Sequence, residues 1–178
     1  VTNGFIPVTD AIKSLETILE ETIQRQRIAD VPVGVFLSGG VDSPLPSKDA
    51  YIRSLKRCQR DAGNAPATIS LIEAHGSGDP AEDDLESLAL HEFMGNQISR
   101  CAIGSLKANI GHTGAVAALA SVVKTGLSLY HEIIPPLTNF TMPENPLWRR
   151  NKFHFPAYPQ FWLRDRKDGV RNAMIGAM

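Results

Sequence analysis

Three times in the chain a short apolar run breaks directly into a glycine-bearing polar turn. Val33-Gly34-Val35-Phe36-Leu37 enters Ser38-Gly39-Gly40-Val41-Asp42-Ser43. The β-branched run TISLIEA, residues 68–74, enters His75-Gly76-Ser77-Gly78. Cys101-Ala102-Ile103-Gly104-Ser105 enters a loop holding Lys107, Asn109, Gly111 and His112. Short apolar runs bounded by turns read as buried strands. Helical spacing surrounds them, so the pattern predicts an α/β chain with its polar residues at strand ends, where such sheets carry chemistry.

The helices have their own signals. Thr9 or Asp10 caps a predicted helix that runs to about Arg27, with Ile12, Leu15, Leu19 and Ile23 on one face. Ser47 caps another, with Tyr51, Leu55 and Cys58 on one face and Gly63 at its end. Asp79, Pro80 and Glu82 supply an N-cap, a proline at the first helical position and a capping-box acid. Leu85, Leu88, Ala89 and Phe93 are expected to carry that helix's inner face. Thr113 is expected to cap an Ala-rich helix. Its apolar stretch, residues 114–130, is short for a bilayer and is interrupted by Lys124, which predicts a core helix rather than a membrane span. The Pro-rich aromatic tail from Ile134 reads as irregular covering structure.

Composition removes several function classes. Eighteen basic and nineteen acidic residues give a net charge of −1, which argues against a nucleic-acid footprint. Two cysteines, Cys58 and Cys101, exclude a disulfide framework, and the five histidines lack metal-ligand spacing. The opening residues carry no basic, signal-like run, so a cytoplasmic location is expected.

Residues 30–43, DVPVGVFLSGGVDS, resemble the pyrophosphate-binding loop of the ATP-pyrophosphatase family, asparagine synthetase in particular. The resemblance implies that Ser38, Gly39, Gly40, Asp42 and Ser43 hold the pyrophosphate of ATP. A strand end with exposed backbone N–H groups suits that ligand. The likeness stops at Pro44-Leu45-Pro46, where two prolines discourage the helix that should follow. ATP chemistry is therefore expected to be absent or vestigial.

From Ser47 onward the segments IEAHGSGD, CAIGSLKANIGHTGA and HEIIPPLTNF, in that order, resemble the C-terminal half of a β-ketoacyl synthase. The likeness is to ketosynthase domains of polyketide and polyunsaturated fatty-acid synthases. It implies part of a thiolase-like fold and a decarboxylative condensation of acyl and malonyl thioesters. It implies that His75 and His112 stabilise the enolate and thioester oxyanions, with Lys107 supporting the second histidine. The reaction needs no cofactor of its own, because phosphopantetheine arrives on acyl carrier protein. The partners implied are that carrier, the half of the synthase that bears the nucleophilic cysteine, and a second copy in a dimer.

Some positions depart from the family pattern. Ser77-Gly78-Asp79 stands for Thr-Gly-Thr, which keeps one hydroxyl for a pantetheine arm and replaces the other with a charge. Glu82 stands for a usual glycine, and Gly114 for a usual acid. The closing RNAMIGAM stands where a Gly-rich segment would complete the oxyanion region. Cys58 lies among Lys56, Arg57 and Arg60, cations that would lower a thiol pKa, but neither cysteine has a nucleophile's surroundings. The expected division is residues 1–46, an ATP-pyrophosphatase-like helix–strand–loop fragment, and 47–178, the ketosynthase-like region. Three readings compete: part of a ketosynthase, inactive without its cysteine half; an ATP-dependent amide ligase fragment; and a non-catalytic fusion remnant.

Overall fold

The computed structural model describes residues 17, 47–95, 100–114, 116–140, 146–149, 153–165, 167 and 169–176. The expected helix ending near Arg27, the strand at Val33–Leu37 and the loop of Ser38, Gly39, Gly40, Asp42 and Ser43 lie outside them. The chain divides into two compact units, Val1–Val31 and Pro32–Met178. Every element below belongs to the second.

Helix α1, Lys48–Ala62, follows Ser47 and ends on Gly63, whose φ of 66° is the left-handed closure glycine favours. Ser47 holds the cap position in extended backbone but makes no side-chain cap bond. Strand β1, Ile69–Glu73, follows a 3₁₀ turn at Pro66–Thr68. Helix α2, Pro80–Met94, opens as its sequence requires: Asp79 accepts from the N–H groups of Ala81 and Glu82. The reciprocal half of the capping box is replaced, because Asp79 N–H donates to Ser77 Oγ at 3.1 Å. The inner face of α2 also differs from the expected one. Leu88 is 46% exposed, while Glu86, Leu90 and Met94 are buried beside Ala89 and Phe93.

Strand β2, Cys101–Gly104, is buried throughout. The loop expected to hold Lys107 and Asn109 forms instead a single turn of helix, α3, Lys107–Ile110. Helix α4, Val116–His131, follows. The tail is more regular than its prolines suggest. It holds β3 at Ile133–Ile134, a 3₁₀ turn at Pro146–Arg149, β4 at Phe153–His154, β5 at Gln160–Phe161 and β6 at Asn172–Ile175.

The main sheet has the order β4-β2-β1-β6, and its three pairings are all parallel. Strands β3 and β5 form a separate antiparallel pair. Buried on both faces, β1 and β2 need the continuous apolar character they have. Leu55, Ile72, Leu90, Met94 and Cys101 are fully buried around them. Helix α4 is unlike the other long helices. Val116, Val123, Leu127 and Tyr130, spaced seven, four and three residues apart, are 44–68% exposed. Among the described residues no helix is long and apolar enough to cross a membrane.

Candidate active site

The C-terminal ends of β1 and β2 lie side by side, with Glu73 in register with Gly104. The turns leaving them therefore emerge together, and His75, Lys107 and His112 meet there. His75 is buried, with 6% of its surface exposed, whereas His112 is exposed. Their ring centroids are 6.1 Å apart and the planes stand nearly perpendicular, at 80°.

Each ring is held by its Nδ1. The Lys107 ammonium lies 3.1 Å from His75 Nδ1 and also donates to the His75 carbonyl oxygen. The Gly114 N–H donates to His112 Nδ1 at 3.1 Å. A nitrogen that accepts carries no proton, so both neutral rings carry theirs on Nε2. The arrangement therefore presents two imidazole N–H donors at adjoining strand ends. Burial above all, then the Lys107 charge, pushes His75 down to about 4. The ring is neutral at physiological pH, a hydrogen-bond donor rather than a cation. Burial also lowers Lys107, against the pull of nearby carboxylates. Lys107, expected to support the second histidine's site, contacts the first histidine.

Two buried carboxylates lie beneath this arrangement, and sequence reading singled out neither. Glu73 is 1% exposed and its carboxylate meets the Lys124 ammonium at 2.8 and 3.1 Å. Burial pushes its carboxyl up, while Lys124 and the backbone N–H of Leu106 pull it down. Glu86, also 1% exposed, accepts from His75 N–H, Gly76 N–H and Tyr51 Oη–H, and its charge acts on the nearby Lys107 ammonium. The available signal was an acid at a buried helical position, which is rare unless its charge is satisfied.

A cleft of about 850 Å³ opens beside the histidines, lined in part by Ser77, Asp83, Lys107, His112, Phe140 and Trp148. Asn139, in the left-handed region with φ 54°, fastens the covering loop to α3 through a 2.9 Å bond from its Nδ2 to the Ala108 carbonyl. Ser77, expected to keep a hydroxyl for a pantetheine arm, is occupied locally: Oγ accepts from Asp79 N–H and donates to Asp83 at 3.4 Å. Glu82 places a carboxylate oxygen 3.9 Å from His75 Nε2. Cys58 is half-buried, and burial and Asp61 push its thiol up despite its basic neighbours. Cys101 is fully buried and its thiol is pushed up strongly by burial. Among the described residues no group of His, Cys, Asp and Glu has the arrangement to hold a metal.

The chain is similar to known proteins along most of its length. Residues 33–141 match the family described as the β-ketoacyl synthase C-terminal domain, and residues 14–45 match asparagine synthase. The chain is 40% identical, over 131 residues, to lovastatin diketide synthase mokB of Monascus pilosus, covering 73% of this chain and 5% of that protein. It is 43% identical over 100 residues to polyketide synthase ThaG of Burkholderia thailandensis, covering 53% of this chain and 2% of that one. Among solved structures it resembles the ketosynthase from module 6 of the bacillaene synthase of Bacillus subtilis 168. That match has a TM-score of 0.66 and 30% identity, and covers 80% of this chain and 27% of that one. Ketosynthase twelve of the Bacillus amyloliquefaciens bacillaene synthase gives a TM-score of 0.64 at 31% identity, covering 71% and 24%. The chain thus spans a small part of its curated relatives and about a quarter of the solved ketosynthases. With a thiolase-like architecture, a family match that includes both histidine turns and relatives that are polyketide synthases, the chain belongs to the β-ketoacyl synthase family, as part of its C-terminal domain.

Proposed function

We propose that this chain supplies the histidine-bearing part of a ketosynthase active site, which condenses an acyl thioester with a malonyl thioester and releases carbon dioxide. The observation that carries the reading is the pair of imidazoles 6.1 Å apart, each accepting at Nδ1 and so bearing its proton on Nε2. As the malonyl unit loses carbon dioxide, its carbonyl oxygen gains the charge of an enolate. His75 and His112 stabilise that oxygen, and Lys107 keeps the His75 proton on Nε2. Neutral donors fixed in place act on developing charge without reorganising. The acyl-bearing cysteine comes from elsewhere in the synthase, since the surroundings of Cys58 and Cys101 disfavour a thiolate. The exposed stripe of Val116, Val123, Leu127 and Tyr130 supports contact with that remaining portion. The malonyl unit arrives on acyl carrier protein, the intact enzyme is a dimer, and no cofactor beyond the carrier's pantetheine takes part.

Decarboxylation alone needs no cysteine, which provides the test. The chain is mixed with the N-acetylcysteamine thioester of malonate, and carbon dioxide and the acetyl thioester are measured. Removal of one oxyanion donor in other enzymes slows the chemical step about 10²–10³-fold, and His112→Ala is expected to do the same here. Equal rates for the wild type and a His75→Ala, His112→Ala double variant would remove both residues from the reaction.

The match of residues 14–45 to asparagine synthase supports a second reading, in which the chain is a fusion joined near residues 44–47. In it Ser38, Gly39, Gly40, Asp42 and Ser43 are the remnant of a pyrophosphate loop, and thermal stabilisation by ATP would reveal surviving nucleotide affinity.

A further inference from the structure

Glu86 and Lys107 hold opposite edges of a single peptide group. The bond between His75 and Gly76 has its C=O on one edge and its N–H on the other, and the unit is rigid and planar. The Lys107 ammonium takes the carbonyl edge. Glu86 Oε2 takes the N–H edge at 3.0 Å. The other oxygen, Oε1, accepts from His75 N–H at 2.8 Å and from Tyr51 Oη–H at 2.9 Å. Space around the group is fully used: a Cβ at Gly176 would stand 2.2 Å from Tyr51 Oη and 3.2 Å from Glu86 Oε1. Gly76 meets the bend that this demands with a φ of 49°, and a Cβ there would lie 2.5 Å from Ser105 Oγ.

We propose that Glu86 is a positioning residue for His75, setting the plane of the 75–76 peptide and so the place where Lys107 meets the imidazole. The proposal rests on the two-donor reading only for its catalytic meaning. The geometry explains the coupling. Lys107 reaches the His75 carbonyl and Nδ1 with one ammonium group, so a rotated peptide plane would take the carbonyl away and loosen the ring contact with it. Glu86 itself never approaches a reacting atom. Among the groups facing His75 are Lys107, Glu82 and His112, and Glu86 governs the placement of the first of them.

The test is nitrogen-15 NMR of the histidine rings in the full chain, comparing wild type with Glu86→Gln. Glutamine keeps one acceptor but turns a donor NH₂ toward an N–H that needs an acceptor. In the wild type, His75 is expected as the Nε2–H tautomer, titrating at about 4. In Glu86→Gln its titration rises toward the ordinary 6.5 and the Nδ1–H tautomer appears, while His112 keeps its spectrum. A folded Glu86→Gln chain with unchanged His75 tautomer and titration would overturn the proposal. Should Glu86→Gln fail to fold, Glu86→Asp retracts the carboxylate by one methylene. It should move the same His75 signals part of the way, and unmoved signals overturn the proposal equally. Neither readout uses thioester turnover, so loss of the decarboxylation reading leaves this result standing, and the reverse holds.

Discussion

Glu73 and Glu86 are buried to the same degree, at 1% exposed, and lie beneath neighbouring turns. Their partners differ in kind. Glu73 is matched by an ammonium that joins β1 to α4, and it also receives the backbone N–H of Leu106, at the entry to α3. The hydrogen bonds to Glu86 come from neutral donors, two backbone N–H groups and a phenol, while the Lys107 ammonium acts on it through charge. Equal burial therefore does not mean equal dependence on charge. A carboxylate facing a cation needs its charge, because the unpaired cation would otherwise be stranded. A carboxylate facing neutral donors is satisfied by geometry, and each donor carries a modest share.

The largest expected effect tests the first half of that contrast. Lys124→Met leaves Glu73 without its cation in a dry site, and breaking a buried pair in this way typically costs about 3–5 kcal/mol. A fall of that size in urea-unfolding stability supports the contrast. A loss below about 1 kcal/mol, the scale of an exposed ion pair, would mean that Glu73 does not rely on Lys124. A smaller effect is expected at the other carboxylate. Tyr51→Phe removes one neutral donor from Glu86 and leaves the ring packing in place, at a cost of about 1 kcal/mol by the same measurement. A loss as large as that of Lys124→Met would show that neutral donors and cations matter equally here.

The finest distinction is one of sign with pH. Burial raises Glu86 above its ordinary 4.5, so stability linked to its protonated form is complete below 4.5 and is lost as pH rises through the folded value. His75 behaves oppositely. Its folded value of about 4 lies below the ordinary 6.5, so stability linked to the neutral ring is present above 6.5 and is lost as pH falls toward 4. Melting temperature followed against pH should show both limbs. Glu86→Gln should flatten the upper limb and, by returning His75 toward its ordinary value, shrink the lower one, whereas His75→Gln should flatten the lower limb alone. A profile that neither variant changes would break the assignment of the limbs to these groups.

Local chemistry was largely legible in the sequence. Gly63 and Asp79 mark helix ends because cap geometry depends on a few adjacent residues, and both do what their identities require. The two strands leading into His75 and Lys107 were likewise announced by apolar runs meeting glycine turns. What escaped depends on distant partners. Tyr51 and Glu86 are 35 residues apart, and Lys124 and Glu73 are 51 apart, so nothing local signals either bond. Strand β6 was hidden for the same reason: NAMI is too short to declare itself and is a strand because β1 offers it a ladder. The inner face of α2 was misassigned because helical spacing favoured Leu88, whereas the fold turns Glu86 inward to meet the His75 turn. The contact of Lys107 with His75, 32 residues away, has no local signal either, because the parallel sheet alone brings the two turns together.

The parallel pairing of β1 with β6 also bears on how the chain is made. Ile69 lies opposite Asn172, so over a hundred residues separate the partners. At a synthesis rate of about 5–20 residues per second, β1 emerges roughly 5–20 s before the strand that will cover its edge. For that interval Leu71 and Ile72 flank an unfilled row of backbone donors and acceptors. The nascent chain is then open to pairing with the wrong strand, and chaperone occupancy should be greatest between the emergence of β2 and that of β6.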